Sequence, residues 1–133
     1  MLDSKDVFSK LVVDEKETTK ELEKLVDTAA KVFRIEKPSG RVIFQNFGDL
    51  TDKQRISAIL VARYFAEKMQ ILDSATMSIS EIAKELGRPM TALSGPIRDL
   101  IKLGFVENLQ GKRYRAAYHR LSEIFERVLK PRT

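Results

Sequence analysis

Cysteine is absent from this 133-residue chain, which excludes disulfides, thiol catalysis and cysteine-ligated metal. Histidine occurs once, as His119, so a zinc site has no second imidazole to draw on. Long apolar runs are missing too. The best one, Ile56 to Ala62, lies between Arg55 and Arg63 and is far too short to cross a bilayer. Asp3 and Asp6 near the amino terminus, with no apolar segment beside them, argue against a secretory signal. The expectation is a cytoplasmic protein without membrane association. Neither a GxxxxGK[ST] loop nor a GxGxxG turn occurs, and no nucleophile has a histidine partner at a recognisable spacing. The acids are scattered without a defensible carboxylate pair. The sequence therefore predicts no enzyme, no cofactor and no metal. Asparagine and glutamine are scarce beside Lys, Arg and Glu, a thermophile-like balance.

What is present is a soluble globular composition, with 43% hydrophobic and 32% charged residues. The net charge of +5 is unevenly spread. Residues 1–50 hold 9 Lys/Arg against 10 Asp/Glu, giving −1, and residues 51–133 hold 15 against 9, giving +6. The basic part points to a polyanionic partner, although a solvated basic surface needs no partner. The expected organisation is an amino-terminal helix and β-hairpin appendage over 1–50, followed by a domain over 51–133.

Residues 4–30 read as helical, in one piece or two. Phe8, Leu11 and Val12, then Leu22, Leu25, Val26, Ala29 and Ala30, recur at helical spacing. "KVFRIEKPSGRVIFQNF" then changes to period two around Lys37-Pro38-Ser39-Gly40, which predicts a β-hairpin. "TDKQ" is a capping box, with Thr51 as N-cap and Gln54 three positions on, and it opens a helix to about residue 70. "SISEIAKELG" predicts a short helix capped by Ser80 and stopped at Gly87. Residues 89–103 form a third helix. "FVENLQGKRYRAAYH" alternates around "QGK" and predicts a second hairpin. A closing helix carries Leu121, Ile124, Phe125, Val128 and Leu129 on one stripe and stops at Pro131. The fold class is mainly α with small β-hairpins, an α+β arrangement.

This order of elements resembles the winged helix-turn-helix of bacterial and archaeal transcriptional regulators. The similarity runs from Met77 to about Ala117. It rests on Ala83 in the first helix of the motif, Gly87 opening the turn, Leu93, Ile97 and Leu100 as apolar anchors, and Gly104 ending the second helix. The helix and hairpin ahead of it are similar to small archaeal members. The resemblance implies a DNA-reading second helix and a wing on the hairpin.

The residues support the same reading independently. Leu93, Ile97, Leu100 and Ile101 make a stripe that must face the core. That leaves Thr91, Ser94, Gly95, Arg98 and Lys102 outward, a set suited to a major groove, or simply a solvated polar face. Pro89 suits a first helical turn. Pro96 lacks the N–H that would bond Ala92, so a kink or a fresh start near Ser94 is expected. Gly95 would let backbone approach DNA closely; alternatively the Gly95-Pro96 pair bends the helix around a bulky core residue such as Tyr64 or Phe65. On the hairpin, Lys112, Arg113 and Arg115 follow a Gln110-Gly111 tip. With Arg88 they would meet phosphates or the minor groove, although cations also guard an edge hairpin against aggregation. Tyr114, on the opposite strand face, is expected in the core.

The expected function is a double-stranded DNA-binding regulator, drawing on Arg88, Thr91, Ser94, Gly95, Arg98, Lys102, Lys112, Arg113 and Arg115. The alternative is a winged-helix module that docks on protein within a transcription or nucleic-acid-processing complex, since fold does not settle function. RNA or single-strand binding is disfavoured by the few aromatics on the hairpins. A homodimer through the terminal helices is expected, with the Leu22–Ala29 and Leu121–Leu129 stripes meeting across a two-fold axis. The competing arrangement pairs them inside one chain.

Overall fold

The computed structural model describes residues 15–45 and 50–129. The expected Phe8, Leu11 and Val12 stripe and the stop at Pro131 lie outside them. Helix α1 spans Glu15–Val32 and leads into strands β1, Phe33–Ile35, and β2, Val42–Phe44. Helix α2 spans Asp52–Lys68, strand β3 Met77–Ser78, helix α3 Ile79–Leu86 and helix α4 Met90–Lys102. Strands β4, Val106–Leu109, and β5, Arg113–Ala116, precede a 3-10 turn at Tyr118–Arg120 and helix α5, Leu121–Arg127. The described chain is thus α+β, with five helices and two small antiparallel sheets, ordered β1-β2 and β3-β5-β4.

Helix α2 is the centre of the molecule. Its capping box forms as expected: the Gln54 N–H donates to Thr51 Oγ1 at 3.2 Å and the Thr51 N–H to Gln54 Oε1 at 3.0 Å. Ile56 through Ala62, Phe65 and Ala66 are all buried, so this helix is enclosed on almost every side, as a helix without a polar face must be. Around it stand α4, α3, β1 and β5.

The boundary expected after residue 50 does not separate two cores. Ala29, Val32 and Phe33 belong to the same buried cluster as Ile56, Leu93 and Ile124. The first hairpin is tied down at two places. The Val42 N–H donates to Glu85 Oε1 at 3.1 Å. Its Gly40, at φ 76°, lies so close to Leu72 that a Cβ there would stand 2.5 Å from a Leu72 methyl. Glycine is required twice over, by its backbone angle and by that contact.

The two terminal stripes meet inside one chain. Helix α1 packs on α5, and Leu121, Ile124, Phe125 and Leu129 are at most 5% exposed. The C-terminal stripe expected at a two-fold axis is therefore part of this chain's own core. On α1, Leu22 and Val26 stay 44% and 46% exposed.

Three local expectations need correction. The cap of α3 is Ser78, not Ser80: the Glu81 N–H donates to Ser78 Oγ at 3.1 Å and the Ser78 N–H to Glu81 Oε1 at 3.3 Å. Ser-x-x-Glu is the capping-box spacing, and Ser80 has no glutamate three residues on. Strand β3 escaped notice because two residues cannot display alternation; Met77 pairs with Tyr114 and Ser78 with Arg113. Of the kink or fresh start expected near Ser94, the fresh start does not occur. Helix α4 runs through Pro96, because Leu93, Ile97 and Leu100, at 0%, 2% and 0% exposure, anchor both sides of the proline. Each such side chain contributes about 1.5–3 kcal/mol by burial, enough to outweigh one missing backbone hydrogen bond.

Candidate nucleic-acid interface

Helix α4 is held by its neighbours at both ends. Gly87 ends α3 in the left-handed region at φ 65°, turning the chain so that Pro89 can precede α4. Arg88 donates from Nη2 to Asp52 Oδ2 at 3.1 Å, which ties that turn to the start of α2. One residue further on α2, Lys53 pairs with Asp99 of α4 at 3.2 Å. This pair neutralises the one acid on the helix. At the other end Arg120 Nη1 donates to the Leu103 carbonyl at 2.7 Å, and its guanidinium lies over the Phe105 ring. A terminal carbonyl of α4 is satisfied in this way.

With the stripe of Leu93, Ile97 and Leu100 turned inward, Thr91, Ser94, Gly95, Arg98 and Lys102 are all exposed. The outward set has the composition expected of it. Ser94 Oγ reaches the Thr91 carbonyl at 3.4 Å, a weak contact that leaves the hydroxyl available. Among the described residues, Arg98 and Lys102 have neither an ion pair nor a hydrogen bond. A Cβ built on Gly95 would meet no atom within 4 Å. No side chain or distant backbone therefore stands where a side chain at this position would go. In a helix interior glycine costs roughly 0.5–1 kcal/mol relative to alanine.

The second hairpin uses its cations differently. Arg113 donates from Nε to Thr76 Oγ1 at 2.8 Å, from Nη1 to Glu81 Oε1 at 2.8 Å and from Nη2 to the Thr76 carbonyl at 3.0 Å. Glu81 also pairs with Arg63 of α2 at 3.5 Å. Arg113 thus clamps β5 to the residue before β3 and to the first turn of α3. Partial burial would raise the Glu81 carboxyl. The Ser78 N–H and the Arg113 guanidinium outweigh it and hold the group below its ordinary value. Arg115 faces Glu107 across the hairpin, with Nη2 to Oε2 at 2.7 Å, and lies over the Tyr118 ring. That hydrogen bond raises the arginine still further. Only Lys112, exposed at the tip with φ 57°, lacks a partner among the described residues of the hairpin. Arg88, Arg113 and Arg115, three of the cations expected on phosphates, each pair with an acid of the protein itself.

Between α4 and the hairpin lies a groove of about 360 Å³. Ser94 and Arg98 border it from the helix, Asn108 and Tyr114 from the strands, and Ile97 and Ile101 are part of its lining. Tyr114 is half-buried against the core, as expected. Asn108 was not among the expected site residues. The signal was present: a three-residue tip fixes Leu109 opposite Arg113, hence Asn108 opposite Tyr114 and Glu107 opposite Arg115. Reading that register would have shown both the ion pair and the polar groove edge. His119 is exposed and lies 3.8 Å from Glu107, apart from this groove.

Among the described residues no cluster of acids and histidine could hold a metal ion, and no helix is long and apolar enough to cross a membrane. No family model matches the chain, and neither a curated protein nor a solved structure matches it.

Proposed function

We propose that this chain binds double-stranded DNA as a winged helix-turn-helix regulator of transcription in the cytoplasm, with α4 as the helix that enters the major groove. One observation carries the reading. The outward face of α4 offers two hydroxyls, two unpaired cations and an unshielded glycine backbone, while its inner face is fixed in the core. Arginine and hydroxyl side chains on a rigid helix suit base edges and flanking phosphates. Asn108, across the groove from Arg98, adds an amide suited to a base edge or a backbone oxygen. Two chains on half-sites one helical turn apart would double the footprint.

A salt titration of duplex binding tests the reading. Arg98, Lys102 and Lys112 supply three phosphate-competent cations, so log K against log salt should fall with a slope of about −2.7. A flat response, or no binding at low salt, overturns the proposal. The competing reading, docking on a protein, draws on Met90 and Leu103. These large apolar side chains are exposed near the two ends of α4 at 51% and 39%. It would show as salt-insensitive binding lost on Met90→Ser.

A further inference from the structure

A second concavity in the described part of the molecule lies away from α4, between α1, the first hairpin and the last turns of α2. It measures about 690 Å³, within the range of small-molecule sites. Its floor is Ala29, Phe33 and Phe65, at 4%, 4% and 8% exposure. Its walls carry Leu22, Val26 and Met69, three of the large apolar side chains that the chain leaves open to water. No acid lines it. The charged groups at its edge are Arg34 of β1 and Lys68 of α2. Both are exposed, and among the described residues neither is in an ion pair. Lys68 lies 5.5 Å from the centre of the Tyr64 ring, which forms part of the same wall.

We propose that this groove binds a small amphipathic anion, an apolar body carrying one carboxylate or sulfonate. The body would cover the open side chains of Leu22, Val26 and Met69 and rest on the floor of aromatic rings. The anionic end would lie between Arg34 and Lys68, where both cations lack a counter-charge. A cationic amphiphile of the same length meets the same walls and is repelled at the edge. A second copy of the chain is a poorer occupant. Among the described residues its other exposed large apolar side chains are Ile43 of β2, Tyr118 of the 3-10 turn, and Met90 and Leu103 at opposite ends of α4, too dispersed to make one ridge for a concave site. The claim stands apart from the DNA reading, because no residue lining this groove lies on α4 or the second hairpin.

Calorimetric titration of the full chain tests it, with dodecanoate and dodecyltrimethylammonium as probes below their micellar range. Dodecanoate should bind one to one and at least tenfold more tightly than the cation. Arg34→Gln and Lys68→Gln should each weaken dodecanoate by about threefold, the worth of one exposed ion pair, and leave the cation's affinity unchanged or improved. Val26→Glu places a carboxylate on an exposed wall, so the fold should survive by circular dichroism while dodecanoate binding is lost. Equal binding of the two probes, or binding of neither, overturns the proposal. So does a concentration-dependent doubling of mass in sedimentation that Val26→Glu removes, since a second copy would then occupy the groove. Duplex binding by the same variants reports on the DNA reading alone.

Discussion

Arg113 on the second hairpin and Arg98 on α4 look alike in the sequence, each a cation in the basic part of the chain. The first has three internal hydrogen bonds of 2.8–3.0 Å; the second has none among the described residues. A basic patch counted from sequence therefore overstates what a polyanion can reach. The hairpin arginines hold β3, β5 and α3 together, whereas Arg98 and Lys102 on α4 stay unpaired among the described residues. The same contrast separates the two terminal stripes, since α5 is spent in the core while Leu22 and Val26 remain open.

The largest effect should come from the part that is spent internally. Phe125→Asp would bury a charge where Phe125 is now 4% exposed, costing roughly 4 kcal/mol or more. That is most of the stability of a domain at the lower end of the usual range of about 5–15 kcal/mol. Chemical denaturation should find the variant largely unfolded. A folded variant that merely changes its mass would restore the two-fold arrangement and break the contrast.

The pair of arginines gives the next test. Arg98→Ala should leave the melting temperature within error and cost about 1–3 kcal/mol of discrimination between duplex sequences. Arg113→Ala should do the reverse, losing about 1–2 kcal/mol of stability, a range kept modest because its side chain and that of Glu81 are 38% and 40% open. Its duplex affinity, measured where it is fully folded, should match the wild type. If both variants lose affinity equally and keep their stability, the hairpin clamp is incidental.

These contrasts mark the limit of what the chain could disclose unaided. The helices and both hairpins were legible because apolar spacing and capping chemistry are local: Thr51 with Gln54, Gly87 as a left-handed stop, the stripe at Leu93, Ile97 and Leu100. The outward face of α4 was legible for the same reason, as the complement of that stripe. The fate of Arg113 was not, because Thr76 lies 37 residues away and is brought near only by a two-residue strand. The groove beside α1 was equally hidden, since its walls come from residues some 40 positions apart. A fresh start near Ser94 followed from a local rule that burial on both sides of Pro96 outweighs.

A smaller effect is expected at Gly95. Since a Cβ there meets no atom within 4 Å and the residue is helical, Gly95→Ala should stabilise the protein by about 0.5–1 kcal/mol. If the bare backbone serves close approach to DNA, duplex affinity should fall in the same variant. A gain in stability with unchanged affinity would remove Gly95 from the interface and leave Arg98 and Lys102 as its active part.

The smallest effect separates two capping boxes of the same geometry. Helix α2 closes its box with the neutral Gln54 and helix α3 with Glu81, so Glu81→Gln keeps the cap's acceptor and removes only the charge facing Arg113 and Arg63. The Glu81 carboxyl is held below its ordinary 4.5 in the folded chain. Its proton therefore binds more readily to the unfolded chain. The stability this contributes is complete above the ordinary value and fades as the pH falls below it, through the depressed folded value. Denaturation of wild type and Glu81→Gln across that range should find the wild type more stable near neutrality and the two converging in acid. A stability difference that stays constant from neutral to acid pH would mean that the clamp works through hydrogen-bond geometry alone, with the charge contributing nothing.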